Sequence, residues 1–201
     1  MNLVAVVGSP RKGKATEALV DKAIEGAMGK NPDCRVKKYN LIDYDIRYCR
    51  NCLVCRDADT NEPLSKCVIK DGMVQIYEDL LACDALILGT PVHSGYPTAL
   101  MMTFLERISW TFAKPGKSYL TVHGCPLPRS NKKRKSIIIV TSGIVPPLYR
   151  WFCDWATKCI KDIANASLNA KTVGDMYAGD IEHRGVDTYY DKAIRLGRKL
   201  T

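Results

Sequence analysis

Apolar residues along the chain alternate between unbroken runs and helical spacing. Residues 3–7 are a continuous apolar run stopped by Gly8-Ser9-Pro10, the pattern of a strand buried on both faces of a parallel sheet. Over 15–29, Ala18, Leu19, Ala23, Ile24 and Ala27 share one helical face. A short edge strand is predicted at 35–40, followed by an irregular stretch over roughly 41–70. Asp71 can then cap a helix over 72–83 by accepting from an unpaired backbone N–H. Residues 84–89 read as a second buried strand. The next helix turns Leu100, Met101, Phe104, Leu105 and Ile108 inward, and a Pro/Gly-containing loop covers 114–135. Residues 136–141 form the most β-branched strand, 147–168 a long helix, 172–178 a strand and 187–200 the last helix. Five strands alternating with helices predict an α/β fold, a parallel sheet with helices on both faces. No repeat or linker divides it, so 1–201 reads as a single domain. Ligands of such sheets bind at the carboxyl ends of the strands, which singles out loops 8–16, 90–97 and 141–147.

Composition changes this picture little, and charge more. Of the 201 residues, 46% are hydrophobic and 25% charged, the balance of an ordinary globular protein. No apolar run approaches a membrane span, and the N-terminus has neither a basic start nor an apolar run long enough for a signal peptide. Nine cysteines, an odd number, suit a reducing cytoplasm better than a disulfide framework. The net charge of +9 is uneven: nine basic residues and no acid lie between Arg107 and Arg150. Such a run is either a solvated loop or a patch that steers an acidic partner or a phosphorylated cofactor. Nucleic acid is disfavoured, because Lys132-Lys133-Arg134-Lys135 has no interleaved aromatics.

The first loop, from Gly8 to Thr16, leaves a buried strand and enters a helix, where free N–H groups and the positive helix end can hold a phosphate. Ser9 and Thr16 offer hydroxyls, and Arg11 and Lys12 offer charge. The loop has neither a G-K-[ST] ending nor a GxGxxG fingerprint, so a single phosphate monoester is the expected guest. The second loop contains Pro91, Val92, His93, Ser94 and Gly95, whose main-chain groups can face a flat ring; His93 alone could equally be a surface histidine. The third, with Ser142 and Gly143, is short enough to close over the same ligand.

Cys49, Cys52 and Cys55 follow one another at intervals of three, and Cys67 comes after 11 intervening residues. This spacing is closer to iron–sulfur ligation than to the paired CxxC units of structural zinc. Zinc and metal-free thiols remain open from the residues alone. A late fourth ligand costs only modest loop-closure entropy. Cys34, Cys83, Cys125, Cys153 and Cys159 sit mostly in apolar patterns and are expected to pack in the core.

Gly8-Ser9-Pro10-Arg11-Lys12 and Gly89-Thr90-Pro91-Val92-His93-Ser94-Gly95 resemble the two flavin loops of the NADPH-dependent FMN reductase-like proteins. The stretch from Cys49 through Cys67 to Met73 resembles the branch called iron–sulfur flavoproteins. The resemblance implies a flavodoxin-like three-layer sandwich with strand order 2-1-3-4-5. It also implies FMN held by Ser9, Arg11, Lys12 and Thr16 at the phosphate, and by Pro91, Val92, His93, Ser94, Gly95, Ser142 and Gly143 at the ring. A [4Fe–4S] cluster on Cys49, Cys52, Cys55 and Cys67 would exchange electrons with the flavin, in a homodimer or tetramer. The chain departs from the family at Ala15, where asparagine is usual, at His93, where tyrosine is frequent, and in the long gap before Cys67.

These observations predict an FMN-dependent oxidoreductase that receives electrons from an acidic carrier such as ferredoxin or from NAD(P)H. One alternative is a cluster-free NAD(P)H-dependent FMN or quinone reductase. Another is a zinc-containing nucleic-acid-binding module. No acid/base or nucleophile constellation is evident, and flavin chemistry requires none.

Overall fold

The computed structural model describes residues 1–58, 61–116 and 125–201. Its main sheet has five parallel strands: β1 (Asn2–Val7), β2 (Arg35–Asn40), β3 (Ala85–His93), β4 (Arg134–Thr141) and β5 (Ala170–Ala178). Their order is 2-1-3-4-5, the flavodoxin-like arrangement. The predicted unbroken runs follow from this order. β1, β3 and β4 are interior strands, so both faces of each need apolar cover. Val4, Val6, Leu86, Leu88, Ile138 and Val140 enter one core, and Leu3, Ala5, Val7, Ile87, Ile137 and Ile139 the other. A bulge between Ser136 and Ile137 shifts the register of β4 against β5.

One face is covered by α1 (Ala15–Lys30) and α5 (Tyr190–Gly197); the other by α2 (Met73–Ala82), α3 (Ala99–Phe112) and α4 (Ala156–Leu168). α2 starts one residue later than expected, with Gly72 at the N-cap position, and Asp71 Oδ1 accepts the Met73 N–H at 3.1 Å from the residue before it.

Several boundaries differ from expectation. The long helix predicted over 147–168 is broken into a 3₁₀ turn (Pro147–Tyr149), a helical turn (Arg150–Cys153) and α4. The break has a local cause. Asp154 Oδ1 accepts the Thr157 N–H at 2.9 Å, while Trp155 and Ala156 donate their N–H groups to the Gly95 carbonyl at 2.9 and 3.0 Å. These partners start a new helix instead of continuing the old one. β3 also runs on to His93 and turns back through Tyr96–Pro97. Within the predicted loop 114–135, Ala113–Pro115 pairs antiparallel with Pro126–Pro128; residues 117–124 of that loop lie outside the described residues. No helix among the described residues is long and apolar enough to cross a membrane.

Candidate functional site

The loop after β1 is built from inside out. The Gly8 N–H donates to the Gly89 carbonyl at 2.7 Å, and the Gly8 carbonyl accepts from the Thr98 hydroxyl. This continues the β1–β3 ladder past the end of β1. A side chain at Gly89 would stand 2.5 Å from Val20 Cγ2, so glycine lets β3 approach α1 closely. Ser9 is buried, and its hydroxyl both donates to the Arg11 carbonyl (3.1 Å) and accepts the Arg11 N–H (3.2 Å). Gly13 takes φ +65° and gives its N–H to Glu17 Oε2 at 2.6 Å. That bond, with the Lys38 ammonium at 2.9 Å and the Asn40 amide at 3.0 Å, outweighs burial and holds the Glu17 carboxyl down at about 2. Thr16 joins the loop to the end of β4 through a 2.7 Å hydroxyl pair with Thr141.

The second loop is a two-residue hairpin. Val92 pairs with Pro97 and His93 with Tyr96, while Ser94 (φ +52°) and Gly95 (φ +86°) make the turn, the left-handed pair that hairpin twist favours. The third loop is fixed to the segment after β5. The Ser142 carbonyl accepts the Ile181 N–H at 3.2 Å, and the Gly143 carbonyl accepts the Glu182 N–H at 3.0 Å.

The three loops enclose two adjoining cavities. Ser9, Arg11, Thr16, Pro91, Val92, His93, Ser142 and Gly143 all line one of about 490 Å³, together with Lys14 and Ala15 at the start of α1. Val92, Ser94, Gly95, Ser142 and Gly143 also line the other, of about 550 Å³. Each is within the range of small-molecule sites. Of the residues proposed from the sequence for this crevice, Lys12 alone is outside both linings; its ammonium pairs with Asp43 at 2.8 Å. Sequence reasoning missed Glu182, which lines both cavities, and the aromatic wall of Phe152 and Trp155 with Cys153. Nothing in the local pattern marks Glu182. The wall was hidden by reading 147–168 as one regular helix, and Cys153 is thus not core packing. Cys34 and Cys83 are buried as expected, whereas Cys125 is exposed. A larger hollow of about 660 Å³ lies elsewhere, among charges that pair with one another: Arg150 with Asp154 and Asp175, and Lys158 with Asp162.

Among its described residues the cysteine segment has little regular structure beyond the helical turn Val54–Asp57. Cys49 and Cys52 are exposed, Cys55 and Cys67 half-buried, and all four are free. Burial pushes the Cys55 thiol up, and the neighbouring sulfurs of Cys67, Cys49 and Cys52 push it further. The four therefore share one neighbourhood. Among the described residues, however, no three His, Cys, Asp or Glu side chains stand as a metal-ligating group. Between the cysteines, Asn51 and Leu53 take φ +51° and +63°, and the Asn51 N–H points to Cys49 Sγ at 3.4 Å. Two buried arginines hold the segment to the fold. Arg129 donates to the Cys55 carbonyl at 2.9 Å, and Arg107 forms a buried bidentate pair with Asp71. Burial disfavours the charged Asp71, but the Arg107 fork and the Arg47 and Met73 N–H groups outweigh it and lower its pKa.

The basic run is correspondingly diminished as a surface. Arg107, Arg129 and Arg134 are buried. Lys132 pairs with Asp84 and Arg150 with two aspartates, and Lys117 lies outside the described residues.

A sequence model described as NADPH-dependent FMN reductase matches residues 1–124. An iron-sulfur flavoprotein of Methanosarcina thermophila is 34% identical over 105 residues, 52% of this chain and 51% of that protein. Another, from Archaeoglobus fulgidus, is 28% identical over 155 residues, 74% of this chain and 67% of its own length. The chain thus spans about half the length of the first of these relatives. The fold is shared with an NAD(P)H:quinone oxidoreductase from Methanothermobacter marburgensis, at TM-score 0.67 and 14% identity over 100% of this chain and 96% of that one. It is shared equally with an FMN-dependent NADH-azoreductase from Bacillus anthracis str. Ames Ancestor solved in complex with FMN, at TM-score 0.67 and 10% identity over 99% and 98% of the two chains. The chain belongs to the NADPH-dependent FMN reductase family.

Proposed function

We propose that the chain, as one domain, binds FMN in the two-lobed crevice and passes electrons between it and a [4Fe–4S] cluster on Cys49, Cys52, Cys55 and Cys67. The observation that carries the flavin part is the crevice itself. A strand-to-helix loop with a buried serine and the open first turn of α1 meets two loops that can grip a flat ring. Ser9, Arg11, Thr16 and the α1 N–H groups would hold the phosphate. Pro91, Val92, His93, Ser94 and Gly95, with Ser142 and Gly143, would frame the ring, and Phe152 and Trp155 would exclude water from its outer side. Lys12 would act on the phosphate only after leaving Asp43.

The cluster part rests on the donor set. Four free thiols share a neighbourhood, one already accepts a backbone N–H, and the relatives named above are iron-sulfur flavoproteins. Thiols are the ligands such clusters require, so the residues fit the group in kind. The bound groups would supply two-electron exchange at the flavin and one-electron exchange at the cluster. A homodimer or tetramer in the cytoplasm, fed by NAD(P)H or an acidic carrier such as ferredoxin, completes the reading. The burial of three of the nine basic residues narrows the carrier's docking face to residues such as Lys114, Lys133 and Lys135.

Anaerobic purification with an absorbance spectrum and iron, sulfide and flavin analysis tests the proposal. FMN with about four irons per chain supports it. FMN with no iron supports instead the cluster-free NAD(P)H-dependent reductase, the reading favoured by the lack of a closed ligand group among the described residues. An iron-free, flavin-free protein would defeat both.

A further inference from the structure

We infer that Arg107 is the positioning residue for the fourth cluster ligand, holding Cys67 in place and donating to its sulfur; this rests on the cluster reading above. Arg107 interrupts the apolar stripe of α3. Phe104, Leu105 and Ile108 around it are fully buried, and Arg107 itself is 2% exposed. A buried cation there is costly, and well-packed apolar residues would serve stability at least as well. Its contacts show what a leucine could not do. Nη1 reaches Asp71 Oδ2 at 2.5 Å and the Arg47 carbonyl at 2.7 Å; Nη2 reaches Asp71 Oδ1 at 3.1 Å, the Ile69 carbonyl at 3.5 Å and Cys67 Sγ at 3.6 Å.

Those partners have a pattern. Arg47 lies two residues before Cys49, and Ile69 two residues after Cys67. One guanidinium therefore ties both ends of the cysteine segment to a single point on α3. This answers the long gap between Cys55 and Cys67, because the intervening residues need not guide Cys67 home when a rigid helix already does. The N–H aimed at Cys67 Sγ adds a second effect. Hydrogen bonds and positive charge at ligand sulfurs raise a cluster's reduction potential. Lysine cannot substitute, since an ammonium lacks the planar fork that reaches these partners together.

The test uses three full-length chains purified without oxygen: wild type, Arg107→Lys, and a double variant with Arg107→Met and Asp71→Asn. The double variant removes both buried charges, so that no lone ion unfolds it. FMN content reports the fold, while iron content, the electron paramagnetic resonance spectrum and the reduction potential report the cluster. The expected result is wild-type FMN in at least one variant together with loss of about one iron in four, the spectrum of a three-iron cluster, and a more negative potential for any intact four-iron fraction. Variants with four irons, the wild-type spectrum and the wild-type potential would overturn the inference alone. A wild type that holds FMN but no iron would overturn the cluster reading and this inference with it.

Discussion

The loop crevice and the cysteine segment lie in the same chain but are held by different means. The crevice grows out of the sheet: its loops extend the hydrogen-bond ladders of β1, β3 and β4, and its left-handed positions fall mainly on glycines, Gly13 and Gly95. Among its described residues the cysteine segment has no ladder to extend. Two buried arginines anchor it, and its left-handed positions fall on Asn51 and Leu53. A site shaped by backbone pairing is formed as soon as the sheet is. A site tethered by side chains depends on those few side chains, and on its guest, for its final shape.

The largest expected effect comes from cutting a tether. Asp71→Ala leaves Arg107 charged and buried without its partner, and breaking a pair of this kind costs about 3–5 kcal/mol. Urea unfolding should show this loss. Protein that remains folded should still bind FMN with near wild-type affinity, because the crevice does not use Asp71. A cost below about 1 kcal/mol would mean that the segment does not depend on the buried pair, and the contrast between the two regions would fail.

On the crevice side the counterpart is Glu17, which closes the phosphate-type loop through the Gly13 N–H. Glu17→Gln replaces a charged acceptor with a neutral one and should cost about 2 kcal/mol. The pH dependence follows from the sign of the shift. The Glu17 pKa is lowered from its ordinary 4.5 to about 2 in the folded chain. Its stabilisation is therefore fully present above pH 4.5 and is lost as the pH falls through about 2. Acid unfolding of Glu17→Gln should lack this component. If the two proteins lost stability in parallel between pH 4.5 and 2, the carboxylate would not be what fastens the loop.

The difference between the regions also explains what could be read from the sequence. Strands and crevice were legible because burial on both faces leaves unbroken apolar runs, and the loops that follow them carry glycine, proline and hydroxyl residues with definite backbone uses. The break at Asp154 was not legible, since it depends on the Gly95 carbonyl about sixty residues away in sequence. Nor was Glu182, which reaches the crevice only because β5 ends beside β4. Arg107 left a trace that was misassigned. Counted with its basic neighbours it suggested a surface patch, although its place among Phe104, Leu105 and Ile108 put a charge on a buried helical face. Charge totals describe a sequence interval, whereas helical phase describes where each charge goes.

The smallest expected effect concerns Leu53. A left-handed conformation costs an L-residue roughly 1–2 kcal/mol, and glycine adopts it freely. Glycine gives back roughly 0.5–1 kcal/mol through the greater freedom of its unfolded chain, and the half-exposed Leu53 side chain takes a little more with it. Leu53→Gly should therefore leave iron-free stability unchanged or raise it by up to about 1 kcal/mol, whereas Leu53→Ala should give no gain, because alanine meets the same steric penalty. Urea midpoints of the two variants decide the point. A loss above 1 kcal/mol in both would mean that the Leu53 side chain, and not the backbone, is what the segment needs there. A gain confined to glycine would show that the cysteine segment carries backbone strain, which the crevice largely avoids by placing glycine at Gly13 and Gly95, and strain of this kind persists where the surrounding structure serves a function other than stability.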